Sequence, residues 1–394
     1  MDLPTDELDE AAFCAEFQQL GQIVEELHGF SFTNTTVPLF GEQPYTCITY
    51  VEFDQKENLI WITNDQGHAT SFYRASLNVY SKFWWSLDKT DLIPNEIVTT
   101  DAYVIFIGKT QLAIFTRGGA PVMRYRPETI KTINCAHWSP TAPCFLYFGG
   151  EQHSIGIFNL ETCKEIKGIE TEDDCCLIRS TDRFLVSASK KGQISVRHKD
   201  FSLYKLTAKT IAHNAGIEDF DVFGNYLVCC GKSTRQHGVA QGDVFMKVYD
   251  IRNLGAQSPI GFNRPPIQVK FVPGLDGCIC VSTGLCLFMV DILNNKTSMF
   301  VSFTLPSDGI SISNSGQAIA AFINNYTPYL QIFCTSMDPP FSIFNIDSIF
   351  PIQNEELFVQ FDDKTSLAVF PVAYMPRDYC SDKWSGSISQ PRYL

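Results

Sequence analysis

The chain has 394 residues, of which 45% are hydrophobic and 19% charged, with a formal net charge of −13. That apolar content excludes a chain too polar to fold, and the acidic balance repels polyphosphate except where a local basic patch works against it. The length admits two or three ordinary domains or one large closed β-structure.

The first 26 residues carry eight acids (Asp2, Asp6, Glu7, Asp9, Glu10, Glu16, Glu25, Glu26) and no Lys or Arg, the reverse of a secretory start. Phe13, Phe17, Leu20, Val24 and Leu27 recur at spacings of four and three, which predicts an amphipathic helix over residues 6–27, weakened by Gly21. A lead-in strand follows, so residues 1–43 form one N-terminal unit.

From there the chain repeats. Short β-branched and aromatic runs centre on Trp61, Phe106, Tyr147, Val186, Val228, Cys280 and Ala320, at gaps of 45, 41, 39, 42, 52 and 40 residues. A second apolar strand follows each run, as in His68–Tyr73, Leu112–Phe115, Ser154–Phe158, Ile194–Val196, Phe245–Tyr249, Cys286–Val290 and Leu330–Phe333. Four antiparallel strands use about 40 residues, the period of a propeller blade. One such sheet cannot bury both faces, so the blades must stack round an axis. The fold class expected is all-β: a seven-bladed, WD-repeat-like β-propeller over 44–338. The wide fifth gap falls at Pro259, Pro265 and Pro266 and reads as an inserted loop there. Gly277–Val290 is too short to cross a membrane and is broken by Ser282-Thr-Gly284, so it reads as a buried hairpin. Beyond Pro339 the repeat is lost, and residues 339–394 are expected to pack along the ring and begin a linker.

The chemistry-bearing residues do not assemble into a reaction centre. The fourteen cysteines include no C-x-x-C pair and read as reduced, buried thiols. No Asp-x-Glu starts a two-metal nuclease. Gly231-Lys-Ser233 lacks the earlier glycine of a phosphate loop. His213 and Asp250 stand where WD-type blades place hydrogen-bonding partners. No catalytic, cofactor-binding or metal-ligating residue is expected. One segment opposes the acidic background: Arg179, Arg183, Lys190, Lys191, Arg197, Lys199, Lys205 and Lys209 face only Asp182 and Asp200, a local balance of +6. With Phe201 and Tyr204 it offers phosphate contacts and a stacking ring. Arg235 and His237, in the loop 233–238, are further candidates for an RNA or partner contact.

Several motifs in order resemble a known family: Ile60–Phe72, Arg117-Gly-Gly119, Asp219-Phe-Asp-Val222, Gly224-Asn225, Ser233–Gly238, Lys247-Val-Tyr-Asp-Ile-Arg252, Phe370–Pro376 and Ser381–Trp384. They resemble the N-terminal WD-repeat propeller of the large subunit of the PAN poly(A)-nuclease deadenylation complex. In that family a linker after the propeller binds a pseudokinase regulatory subunit, and a Mg-dependent 3′ exoribonuclease domain lies further on. The resemblance implies that this chain, which stops near the linker, lacks the exonuclease. It implies a non-catalytic scaffold that docks the pseudokinase subunit and poly(A)-binding protein on poly(A) mRNA. The expected setting is the cytoplasm, including P-bodies, with no membrane partner and no cofactor. The alternative is direct binding of single-stranded RNA by 179–209.

Overall fold

The computed structural model describes Val37, Pro38 and residues 47–343, apart from the short stretches 75–76, 87–90, 201–202, 235–237, 295, 325–327 and 336–338. The expected N-terminal helix, most of the expected C-terminal extension, Arg235 and His237 lie outside the described residues.

Seven antiparallel sheets follow one another along the chain. Blade one comprises Ile48–Phe53, Leu59–Asn64, His68–Tyr73 and Asn78–Trp84. Blade two is Glu96–Thr99, Val104–Ile107, Leu112–Phe115 and Pro121–Tyr125. Blade three is Ile133–Trp138, Phe145–Gly150, Ser154–Asn159 and Lys164–Glu170. Blade four is Leu177–Ser180, Phe184–Ala188, Gln193–Asp200 and Leu203–Ile211. Blade six is Gln268–Phe271, Cys278–Ser282, Cys286–Asp291 and Lys296–Ser302. Blade seven is Gly309–Ile312, Ala318–Ile323 and Tyr329–Cys334, completed by the lead-in strand Val37–Pro38, which pairs with Leu330 and Tyr329. Pro38 has no N–H to donate, and an outer edge is the place in a sheet that tolerates it.

Each blade's first strand touches the first strands of both neighbours, from blade one round to blade seven and back to one. The first strands therefore ring the axis and the ring is closed. The second strands are sandwiched between neighbouring blades. Leu59–Asn64, Val104–Ile107, Cys278–Ser282 and Ala318–Ile323 are buried at every position. Strands covered on both faces read as unbroken apolar runs, which is why the sequence repeat is centred on them. Among the described residues the apolar cores lie between blades rather than within them. One core, for example, packs Trp61, Phe83 and Trp85 of blade one and its exit against Phe106 and Phe115 of blade two. Another joins blades seven and one through Leu330, Ile332, Ile60 and Phe341.

Blade five departs from the expectation. Ile217–Phe223, Tyr226–Thr234 and Phe245–Asp250 are its first three strands, and its outer strand is split into Gly255–Ala256 and Ile260–Gly261. The extra length lies not at the prolines but between the second and third strands. There the second strand runs on to Thr234 and pairs with the added strand Ala240–Gly242. The proline segment holds the broken outer strand, whose place in the other blades is taken by one continuous strand.

Candidate functional site

The first strands carry charge to the axis. Residues two apart on a strand share a face, so Tyr50 and Glu52, Asp219 and Asp221, and Gln268 and Lys270 are aligned in pairs. Many of these side chains bond to the neighbouring blade. Glu96 accepts from the backbone N–H of Ala136 at 2.8 Å, and His137 Nε2 meets Ser180 Oγ at 3.0 Å. Asp219 and Asp221 accept from the N–H groups of Val269 and Phe271, Gln268 from Ile310, and Ser311 from Phe53. Arg179 reaches Glu96 at 3.4 Å and Asp219 at 3.9 Å, spanning blades two, four and five.

Burial sets the proton affinities of this cluster. It pushes Glu52 up to about 7, with the charge of Lys270 pulling the other way. Glu96 and Asp221 are raised for the same reason, opposed by Arg179 and Lys270. Burial lowers His137 well below its ordinary value, and Arg179, Lys199 and Lys270 add to that. For Arg179 burial disfavours the charge, but Glu96, Asp219 and Asp221 outweigh it and raise its affinity for the proton.

The structure divides the basic segment that the sequence presents as continuous. Arg179 is 12% exposed and belongs to the axis. Arg197 is buried and donates to Ser187 Oγ at 3.0 Å between blades three and four. Both guanidinium groups are engaged within the fold. Lys199 is half-buried, its ammonium lowered by desolvation against the pull of Asp182. Lys190 and Lys191 are exposed but meet Glu151 at 3.2 Å and Asp173 at 2.5 Å, and Lys209 meets Glu172. Those acids come from blade three and the loop after it. Arg183 is exposed at the turn before Phe184. Arg235 and His237 fall in the undescribed part of the blade-five insertion.

Within that blade, His213 Nδ1 lies 3.3 Å from Asp243 Oδ2, and Ser233 Oγ donates to the same oxygen at 2.8 Å. The partner of His213 is therefore Asp243 rather than Asp250, which is taken up by Arg252 in a tight turn. Desolvation lowers the affinity of His213 for a proton, helped by Lys247 and opposed by Asp243, so the contact joins a neutral imidazole to a carboxylate. Lys232 of Gly231-Lys-Ser233 sits on a strand and pairs with Glu218. Between the turns of blades five and six an open depression of about 380 Å³ is lined by Phe223, Tyr226, Asp250, Arg252, Asp276 and Leu293. Among the described residues no group of three or more His, Cys, Asp or Glu could hold a metal ion, and no helix is long and apolar enough to cross a membrane.

The family model described as PAN2 N-terminal matches residues 43–330, a span that takes in blades one to six and reaches the third strand of blade seven. The chain belongs to the PAN2 N-terminal family. Over 244 residues it is 30% identical to the PAN2-PAN3 deadenylation complex catalytic subunit PAN2 of Gallus gallus, covering 61% of this chain and 20% of that protein. The Schizosaccharomyces pombe subunit is 24% identical over 345 residues, covering 86% of this chain and 30% of that protein. The chain thus spans well under half of these relatives. The solved Pan2 WD40 domain of Neurospora crassa superposes with a TM-score of 0.70 at 21% identity, covering 79% of this chain and 97% of that one, and shares its fold.

One stretch that resembles PAN2 has a plain structural reading. Arg117 of Arg117-Gly-Gly119 crosses from blade two to a fully buried Asp54 after the first strand of blade one, and it also donates to the carbonyls of Thr100 and Asp101. Trp61 Nε1 donates to the same carboxylate at 3.1 Å. Gly119 adopts φ +90°, and a Cβ there would stand 2.5 Å from the Phe83 ring. The motif fixes the joint between two blades.

Proposed function

We propose that this chain is a non-catalytic scaffold within a PAN2-PAN3 deadenylation complex. It docks the PAN3 pseudokinase subunit and poly(A)-binding protein on the mRNA tail, and so acts in cytoplasmic poly(A) shortening, P-bodies included. The observation that supports this most is the family match over residues 43–330, set beside charged side chains already engaged within the fold. The polar groups at the axis bond backbone N–H groups and one another, and Lys190, Lys191 and Lys209 of the blade-four rim meet carboxylates. A closed ring with its polar groups so engaged has rigid outer faces to offer partners. Its described residues bring together no nucleophile, base and anion-stabilising donors of the kind bond cleavage requires. The 3′ exoribonuclease activity of the family belongs, on this reading, to sequence beyond the propeller.

Direct binding of single-stranded RNA by 179–209 is the weaker reading, because Arg179 and Arg197 are withdrawn and Lys190, Lys191 and Lys209 are neutralised. The test is a pull-down of the purified chain with PAN3 and with poly(A)-binding protein loaded on poly(A). Retention of both supports the scaffold, and loss of both defeats it.

A further inference from the structure

The outer strand of blade five breaks at a proline. Pro259 has no N–H for the ladder, and the strand survives only as Gly255–Ala256 and Ile260–Gly261 on either side. Ser258 stands between the fragments. Residues 255–259 are all exposed, and among the described residues the Ser258 hydroxyl makes no hydrogen bond. A residue that precedes proline is held extended, because the helical region would drive its backbone into the proline ring. Blade five thus displays a serine hydroxyl on an extended Ser-Pro step at its outer edge.

Three prolines of the chain follow Ser or Thr: Pro140, Pro259 and Pro328. Ser139, before Pro140, is the internal contrast. It is 4% exposed, and its hydroxyl is engaged with Thr141 Oγ1 at 2.9 Å. Thr327 lies outside the described residues. Among the described residues, Ser258-Pro259 is therefore the Ser-Pro step that a modifying enzyme can reach.

We propose that Ser258 is a phosphorylation site for a proline-directed protein kinase. The Ser258 Oγ forms a bond to the γ-phosphorus of ATP, the bond from that phosphorus to the bridging oxygen breaks, and ADP leaves with the electron pair. The hydroxyl proton passes to the catalytic carboxylate of the kinase. Such an enzyme binds its substrate as an extended segment. The fragments on either side of Ser258 pair over two residues each, and Gln257 adds one backbone bond to Val248. Lifting this segment breaks few hydrogen bonds, so the acceptor is reached without opening the ring.

The surrounding charge gives the modification its effect. From Asn253 to Asn263 the chain carries no charged side chain, and Arg252 and Arg264 flank Ser258 at six residues to either side. Both arginines are exposed. A phosphoserine adds about −1.5 to −2 at neutral pH, enough to offset the two arginines of this stretch. Gln257 also lines the depression between blades five and six, so the phosphate changes the charge at the lip of that surface.

The experiment incubates the purified chain with Mg-ATP and a mitogen-activated protein kinase, and reads the product by intact mass and phosphopeptide mapping. A synthetic peptide of residues 253–264 serves as the unstructured reference, and Ser258→Ala and Pro259→Ala run beside the wild type with their folding checked by circular dichroism. The folded wild type takes up a phosphoryl group at Ser258 and none at Ser139, both variants lose that label, and the phosphorylated chain unfolds at the same temperature as the unmodified one. Should a variant fail to fold, the site mapped on the folded wild type decides alone. Labelling of the peptide but not of the folded chain, labelling of neither, equal labelling of Ser139, or a Ser258 label that persists in Pro259→Ala overturns the proposal.

Discussion

Arg117 grips Asp54 by both prongs of its guanidinium: Nε meets Oδ2 and Nη2 meets Oδ1, each at 2.8 Å. Asp54 is fully buried and also accepts the backbone N–H groups of Lys56 and Glu57. A buried pair is costly to break from one side, because the survivor is left as an uncompensated charge. Arg117→Ala is expected to lose about 3–5 kcal/mol in equilibrium unfolding. Loss within the range of an exposed substitution would remove this pair from the joint between blades one and two.

Gly119 tests the same joint from the other side. Its left-handed backbone, and the Phe83 ring in the space a Cβ would need, make Gly119→Ala strained on two counts. The expected loss is about 1–3 kcal/mol, read from the shift in denaturant midpoint at unchanged slope.

Phe341 closes the ring where it began. It is fully buried, packs edge-on against Phe53 at 4.7 Å, and its N–H donates to Asn58 Oδ1 of blade one. Ser342 donates to Lys56 and to the same Asn58 oxygen. Phe341→Ala is expected to cost about 3–5 kcal/mol. Hydrogen exchange should show the added opening first at blades one and seven, since local openings concentrate where contacts were removed.

The rim of blade four separates the two functional readings. Lys190 and Lys191 are 54% and 74% exposed, so reversing both to Glu perturbs little of the fold. The scaffold predicts that Lys190→Glu with Lys191→Glu leaves any affinity for naked poly(A), and its salt dependence, unchanged. A weaker affinity with a shallower salt slope would return phosphate contact to this segment.

The middle of each blade was legible in the sequence, and its edges were not. Trp61, Phe106, Tyr147, Val186, Val228, Cys280 and Ala320 all fall on second strands, because strands covered on both faces must be apolar throughout. First strands mix core residues with axial charges, and outer strands face solvent, so neither gives a clean period. Blade five hid its added strand because Ser233–Gly242 is polar and Gly-containing and resembles an ordinary turn. The ion pairs of the basic segment were hidden for a simpler reason. Lys190 meets Glu151 and Lys209 meets Glu172 at separations of 39 and 37 residues, one blade period back. A local charge sum along the chain cannot see a partner one blade away. The axial cluster was invisible for the same cause, since its members come one or two from each blade. Asp219 and Asp221 accept backbone N–H groups both of their own strand and of the next blade.

The scaffold reading rests on recognition of a protein-coated tail rather than of RNA itself. Titration calorimetry of this chain against poly(A) coated with poly(A)-binding protein, and against naked poly(A) in the same salt, tests that most directly. The prediction is saturable binding to the coated tail and none to the naked one. Equal binding to both, or binding to neither, would contradict it.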